Sequence, residues 1–527
     1  MHTPAPRDAA APLTTTGASP ALWSQRVIRS FAAATNLLVC GHSFVIAAPS
    51  HLHGIPQLAS LEHTLRAFGA HPMVSALPSP AVPQPAAAST SVAHAAPASV
   101  PFPPAQAVIV VAETPEEARS LTLNPLAHVI VEAPLSGPIS VTTGEGAALH
   151  SPYAAHTATA GSGEAPACDL TYGRERIAWA RAHMPITRAA VARLARTSQH
   201  GGQLGGHLAG RRIGLALVLE PKTAVLALEL AAAGAQVSVF GHADETREDI
   251  AAELRAQGLK VFADSTATPS QEEALARAFL AENLEFLLDD GSHLIRMAHD
   301  SQRAPSALDS LLGAAEETTS GLRPLRAMEA AGTLRIPVMA SNDARSKTLF
   351  DNAYGTGQSC LLTILDLLDP SFQGYPLPGQ HVVVAGYGDV GKGCARLAAA
   401  LGARVSVAEV DPVRALQARM DGYGTGTLVD LAARADLCMS ATGVADTISR
   451  DVLNALPDGA VVAVAGGVDQ EVALDDALEA GAQWLPAPGM RAVERLRLPS
   501  GRELLVTDRG GCVNHRHLNR TAPSCAH

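Results

Sequence analysis

Aromatic side chains are scarce in this chain, at 4% of 527 residues, although 47% of the residues are hydrophobic. Its interior must therefore be filled by Ala, Val and Leu, which suits packed helices and parallel strands rather than an all-β sandwich. Cysteine is sparse as well. The residues Cys40, Cys168, Cys360, Cys394, Cys438, Cys512 and Cys525 are scattered and share no CxxC spacing. That excludes a disulfide framework and makes a reducing cytoplasm the expected compartment. No apolar run approaches the roughly 18 residues needed to span a bilayer. The opening stretch MHTPAPRDAAAPLTTTGASP lacks a basic start and an apolar core, so no secretory signal is expected. Positive charge is also short: 39 Lys and Arg against 50 Asp and Glu leave a formal charge of -11. This argues against a nucleic-acid or anionic-membrane surface and for a small-molecule substrate.

The length suggests about three domains. Residues 1 to about 21, rich in Ala, Pro and Thr, read as disordered. A strand, loop, helix and strand follow in NLLVCGHSFVIAAPSHLHGIPQLASLEHTLRAFGAHPMVSALP. Residues 79–106 read as a low-complexity linker. A second strand, helix, strand unit comes next in AVIVVAETPEEARSLTLNPLAHVIVEAP, and a Gly, Ser and Ala-rich stretch runs to 168. Residues 1–168 thus hold at best one small, interrupted α/β unit. Its histidines His42, His51, His53 and His63 lack Cys or carboxylate partners at ligand spacing, and no metal site is expected.

From Asp169 the pattern becomes regular. Apolar runs at RIGLALVL, AQVSVFG, GLKVFA, LEFLLDD, RIPVMA, HVVVAG, ARVSVAE, ADLCMS and AVVAVAG alternate with helical spacing. That alternation implies parallel sheets with crossover helices, in two units joined near 353–370.

Within the second unit, Gly386, Gly388 and Gly391 form GxGxxG around Asp389 and Val390, directly after an apolar strand and before a helix. The glycines permit a tight turn, close approach of a pyrophosphate and close helix–strand packing. The next strand ends in Glu409, 18 residues after Gly391. A carboxylate there accepts ribose hydroxyls and repels a 2'-phosphate, so the expected cofactor is NAD rather than NADP.

Together with this loop, GYGDVGKG, the segments EETTSG at 316–321 and SNDARSKTLFDNAYG at 341–355 resemble the S-adenosylhomocysteine hydrolase family. The likeness runs from about 172 to about 514, in order and with similar spacing. It implies an α/β fold of two Rossmann-like parallel-sheet domains. These are a substrate-type domain over 169–365 and an NAD-binding domain over 366–495, with a hinge segment over 496–527. Residues 1–168 precede them as a small, interrupted α/β or partly disordered region.

The family oxidises a ribose 3'-hydroxyl with NAD before it eliminates homocysteine. By resemblance Lys347 and Asp351 serve that hydroxyl, Asn352 follows them, and Asp290 and Glu317 are further acidic site residues. Thr318, Thr319 and Ser320 would touch the cofactor, as would Thr442 in the ATG segment, and Asn514 would meet its carboxamide.

Several positions depart from the family pattern. Val218 and Gly467 stand where the family has histidines, so its acid–base pair for the 5' position is missing. Glu220 and Lys222 replace the threonine and glutamate around adenine, and Thr521 a hinge histidine. His293 replaces an aspartate and Leu349 a lysine. No counterpart of the family's C-terminal lysine and tyrosine segment precedes His527, which weakens the expected homo-oligomer. Three readings stay open. They are an NAD-dependent oxidation of a nucleoside or related polyol, a working adenosylhomocysteinase with substitute groups such as His293, and a non-catalytic NAD-binding regulator.

Overall fold

A computed structural model describes residues 19–35, 37–77, 107–120, 129–143, 170–196, 207–370, 375–467, 470–487 and 492–513. The chain divides into two compact units, Met1–Ala154 with Asn352–Val513 and Ala155–Asp351 with Asn514–His527.

The first unit begins with a sheet of β1 (Ser43–Pro49), β2 (His71–Leu77), β3 (Ala107–Ala112), β4 (Val129–Pro134) and β5 (Ser140–Thr143). Their order is β2-β1-β3-β4-β5, with β5 antiparallel to β4 and the others parallel. The central strands are unbroken apolar runs, FVIAA and AVIVVA, as a sheet covered on both faces requires. The helix Pro20–Thr35, which the sequence reading passed over, buries Leu22, Trp23, Val27, Ile28 and Phe31. Trp23 donates its indole N–H to Pro134 O at 3.0 Å. The stretch read as a linker, 79–106, lies outside the described residues.

The second unit has six parallel strands: β6 (Arg212–Ala216), β7 (Gln236–Phe240), β8 (Lys260–Phe262), β9 (Phe286–Asp289), β10 (Gly313–Glu316) and β11 (Val338–Ala340). They are ordered β11-β10-β9-β6-β7-β8, so the winding reverses between β6 and β9. In such sheets ligands bind beyond the carboxyl ends of the strands at that reversal.

The rest of the first unit is an eight-stranded sheet. Its strands are β12 (His381–Ala385), β13 (Arg404–Ala408), β14 (Gly424–Thr425), β15 (Leu437–Ser440), β16 (Val461–Val464), β17 (Gln483–Pro486), β18 (Val493–Arg497) and β19 (Glu503–Thr507). The order is β14-β13-β12-β15-β16-β19-β18-β17, with its reversal between β12 and β15. The fold is α/β with Rossmann-like parallel sheets, as expected.

The N-terminal sheet is fastened to the helix Gly357–Leu368 of the same unit. Arg29, with no exposed side-chain surface, binds Asp366 at 2.9 Å and Asp369 at 2.8 Å. Gln358 accepts from Val39 N at 2.9 Å and donates to Leu37 O at 3.0 Å. Among the described residues, the five N-terminal strands β1–β5 are therefore part of the nucleotide-binding unit. Their apolar runs could be read from sequence; their fastening to residues more than 300 positions away could not.

Candidate active site

Two strand ends position the charged groups of the second unit. Asp289 ends β9 and Glu316 ends β10, directly opposite each other in register, and both are fully buried. Burial pushes the Asp289 carboxyl well above its ordinary range, and the charges of Glu316 and Asp290 push the same way. Asp289 accepts Ile295 N at 2.8 Å. Glu316 accepts Gly291 N at 3.0 Å, Thr318 N at 2.9 Å and the Thr318 hydroxyl at 2.8 Å. One buried carboxylate thus joins the loop bearing Asp290 to the loop bearing Glu317. A Cβ on Gly321 would collide with that carboxylate, which accounts for glycine in the EETTSG segment.

The loop after β11 brings in the cation. Ser341 donates to Glu316 O at 2.7 Å, and the Thr348 hydroxyl donates to Asn342 O. Lys347 then lies 3.1 Å from Asn342 Oδ1, 3.1 Å from Glu317 Oε1 and 3.4 Å from Asp351 Oδ2. Asp351 falls in a π-helical stretch, Thr348–Thr356, a winding often found at functional sites. The Glu317 carboxyl is pushed up to about 7: burial raises it, Lys347 opposes, and Asp290 and Asp351 add to the rise. The structure therefore brings Lys347, Asp351, Glu317 and Asp290 into one electrostatically coupled group. Thr318, Thr319 and Ser320 lie at the start of the helix Thr319–Ala330, where Thr318 caps Gly321 N. Asn342 and Glu316 were missed from sequence; paired acids closing apolar runs, LLDD and AAEE, were the available signal.

In the first unit, the nucleotide loop follows β12. Gly386 has φ +93°, and a Cβ there would press on Ala441 O and Thr442 Cγ2 at 3.1 and 3.0 Å. A Cβ on Gly391 would strike Gly386 O, whereas one on Gly388 would meet only Arg414, at 3.8 Å. The loop is closed inward and open at Gly388, where the helix Asp389–Ala400 begins with Asp389, Val390 and Gly391. This cradle fits a pyrophosphate.

Glu409 accepts Tyr387 N at 2.7 Å, Val410 N at 2.7 Å and Asp411 N at 2.9 Å. A carboxylate has about four acceptor positions, so one remains for a ribose hydroxyl. Thr442 is held by a fully buried acid that sequence reading missed. Glu471 accepts Thr442 N at 3.2 Å, the Thr442 hydroxyl at 3.2 Å and the hydroxyl of Ser440. Asn352 is buried in this unit, and Asn514 lies outside the described residues, as does Thr521.

At the departures from the family pattern, Val218 is half-buried, Gly467 is exposed, and Glu220 is buried and paired with Lys222 at 2.9 Å. Among the described residues no group of three or more His, Cys, Asp or Glu is placed to hold a metal ion. No helix among them is long and apolar enough to cross a membrane.

Residues 356–518 match the family described as S-adenosyl-L-homocysteine hydrolase, NAD binding domain. The chain is 38% identical over 307 residues to the adenosylhomocysteinase of Thermotoga maritima, covering 58% of this chain and 72% of that one. It is 36% identical over 343 residues to the S-inosyl-L-homocysteine hydrolase of Methanothermobacter thermautotrophicus, covering 65% and 78%. Among solved structures, a dipicolinate synthase of Bacillus halodurans superposes with a TM-score of 0.36 at 16% identity, over 54% of this chain and 92% of that one, too loosely to carry an argument. The glycine cradle and Glu409 are thus part of an NAD-binding domain, and NAD is its cofactor. The chain belongs to the S-adenosyl-L-homocysteine hydrolase family.

Proposed function

We propose that the chain oxidises the ribose 3'-hydroxyl of a nucleoside-like thioether at Lys347. The observation that supports this best is the Lys347 ammonium held by one amide and two carboxylates at 3.1 to 3.4 Å. NAD, when bound, supplies the acceptor for the hydride that leaves the carbinol carbon. Lys347 stabilises the negative charge that develops on the hydroxyl oxygen as its proton departs. Glu317, with a carboxyl near 7, is matched to accept that proton at neutral pH. Asp351 and Asn342 hold the ammonium in place, and Asp290 adds to the charge around Glu317.

On the cofactor side, Gly386, Gly388, Asp389, Val390 and Gly391 take the pyrophosphate, Glu409 the ribose, and Thr442 forms the adjoining wall. Thr318, Thr319, Ser320, Asn352 and Asn514 are further proposed contacts. The two relatives' names differ in the base, adenosyl against inosyl. Glu220 is buried and pairs with the exposed Lys222, which makes base choice a question for this chain's own residues. A cytoplasmic location completes the proposal.

The test mixes the NAD-loaded protein with S-adenosylhomocysteine or S-inosylhomocysteine and with their 3'-deoxy analogues. Bound NADH forms only with the 3'-hydroxyl compounds if the proposal holds. NADH from the deoxy compounds, or from none of the four, overturns it.

A further inference from the structure

We infer that His242 and His293 form a second proton-transfer site in the substrate-type unit, serving the sulfur of a thioether while Lys347 serves its ribose hydroxyl. The inference rests on the proposed oxidation and extends it to hydrolysis.

The location follows from topology. Strand β6 lies between β9 and β7, and the winding reverses between β6 and β9, where a doubly wound sheet takes its ligand. Two residues past β6 stands Val218, which has no ionisable group. His242 follows β7, and His293 follows the Asp290 loop after β9. Their rings meet, with centroids 5.2 Å apart and planes at 72°. Imidazoles from the two strands flanking β6 therefore come together across it. The backbone beneath is zipped: Leu219 N donates to Glu245 O, and Arg247 N to Leu219 O, each at 3.0 Å.

Both rings are held in place. His242 Nδ1 lies 2.8 Å from Glu272 Oε1, and the other Glu272 oxygen accepts Ala243 N at 2.8 Å. Although burial pushes the Glu272 carboxyl up, the Ala243 N–H and the two imidazoles hold it below its ordinary value. A carboxylate at Nδ1 takes that N–H and leaves Nε2 as the basic nitrogen. This Nε2 is buried with no hydrogen-bond partner among the described residues. A buried, unsatisfied nitrogen costs stability and is retained where a site uses the group.

His293 is set by its loop. Gly291 at φ +80° and Ser292 at φ +58° turn the chain sharply, and the imidazole lies over Gly291 so closely that a Cβ there would be 2.7 Å from His293 Cδ2. The side chain faces solvent, where substrate can reach it.

Thioether hydrolysis needs one proton given and one taken. As the C–S bond breaks, its electron pair stays on sulfur, which accepts a proton from His293. As water adds to the carbon, it gives a proton back to His293. The sum is thioether plus water to thiol plus alcohol, with the imidazole returned to its starting state. His242, oriented by Glu272, stabilises the charged form of its neighbour through Nε2; Glu272 is a positioning residue.

The experiment follows two signals in the NAD-loaded full chain given S-adenosylhomocysteine or S-inosylhomocysteine: bound NADH and free thiol. His293→Ala and His242→Gln are each expected to cut thiol release about 100-fold while NADH formation stays within about two-fold of wild type. Added imidazole restores part of the thiol release of His293→Ala, and Glu272→Gln lowers it about 10-fold. Thiol release at the wild-type rate in both histidine variants overturns the inference. So does a parallel loss of both signals, which marks a structural role. NADH without thiol in the wild type overturns this inference alone, whereas no NADH at all overturns the proposed oxidation and this inference with it.

Discussion

The nucleotide loop after β12 and the charged group beyond β9 and β10 solve the same problem with opposite materials. The first is nearly all backbone: glycines that exclude their own Cβ atoms and present N–H groups at a helix start. The second is nearly all side chain, with Lys347, Glu317, Asp351 and Asp290 drawn from three loops. Yet each rests on a fully buried glutamate, Glu471 under Thr442 and Glu316 under Gly291 and Thr318. A backbone cradle suits a cofactor whose phosphates look alike from every approach. A charged side-chain cluster suits a step in which a proton must move.

The comparison breaks most sharply at Gly391. A side chain there strikes Gly386 O, so Gly391→Val should weaken NAD binding by about 100-fold or more, measured by calorimetry. Leaving the affinity unchanged would show that the loop does not hold the pyrophosphate. Arg29 tests the same unit through its packing. Its guanidinium is buried between Asp366 and Asp369, so Arg29→Ala should cost about 3–5 kcal/mol in denaturant unfolding of that unit. A loss below about 1 kcal/mol would mean the N-terminal sheet is not fastened there.

How far these regions were legible from sequence differs for a physical reason. Strand, glycines, helix and Glu409 are contiguous, so their geometry follows from local spacing. Lys347 and Glu317 are 30 positions apart and Asp290 a further 27, and only the family resemblance set them in one site. Burial is not a local property, so Glu316 at a strand end and Glu471 in a loop looked like ordinary acids. His242 went unnoticed because its partners, Glu272 and His293, come from other elements. The helix Pro20–Thr35 was hidden by the Ala, Pro and Thr-rich start that runs into it.

Smaller effects sharpen the comparison. Glu316→Gln keeps the volume but removes the charge that ties two loops, and should slow substrate-dependent NADH formation about 10-fold with NAD affinity unchanged. An equal loss of NAD affinity would place Glu316 in the cofactor's support instead. Glu317 gives the gentlest signal. Its carboxyl sits near 7 rather than 4.5, so NADH formation should rise with pH through about 7 as the carboxylate becomes free to accept a proton. The sign for stability is the reverse. The folded unit holds this proton to a higher pH than the unfolded chain, so ionisation between 4.5 and about 7 opposes folding. Glu317→Gln should flatten both profiles; an unchanged pH–rate profile would remove Glu317 from the proton's path.

The most direct test of the account is the bound NADH signal from S-adenosylhomocysteine or S-inosylhomocysteine in the wild type and in Lys347→Ala, with NAD content measured in both. The account predicts equal NAD content, a clear NADH signal in the wild type, and a loss of about 100-fold or more in the rate for the variant. A Lys347→Ala protein that forms NADH at the wild-type rate would contradict it.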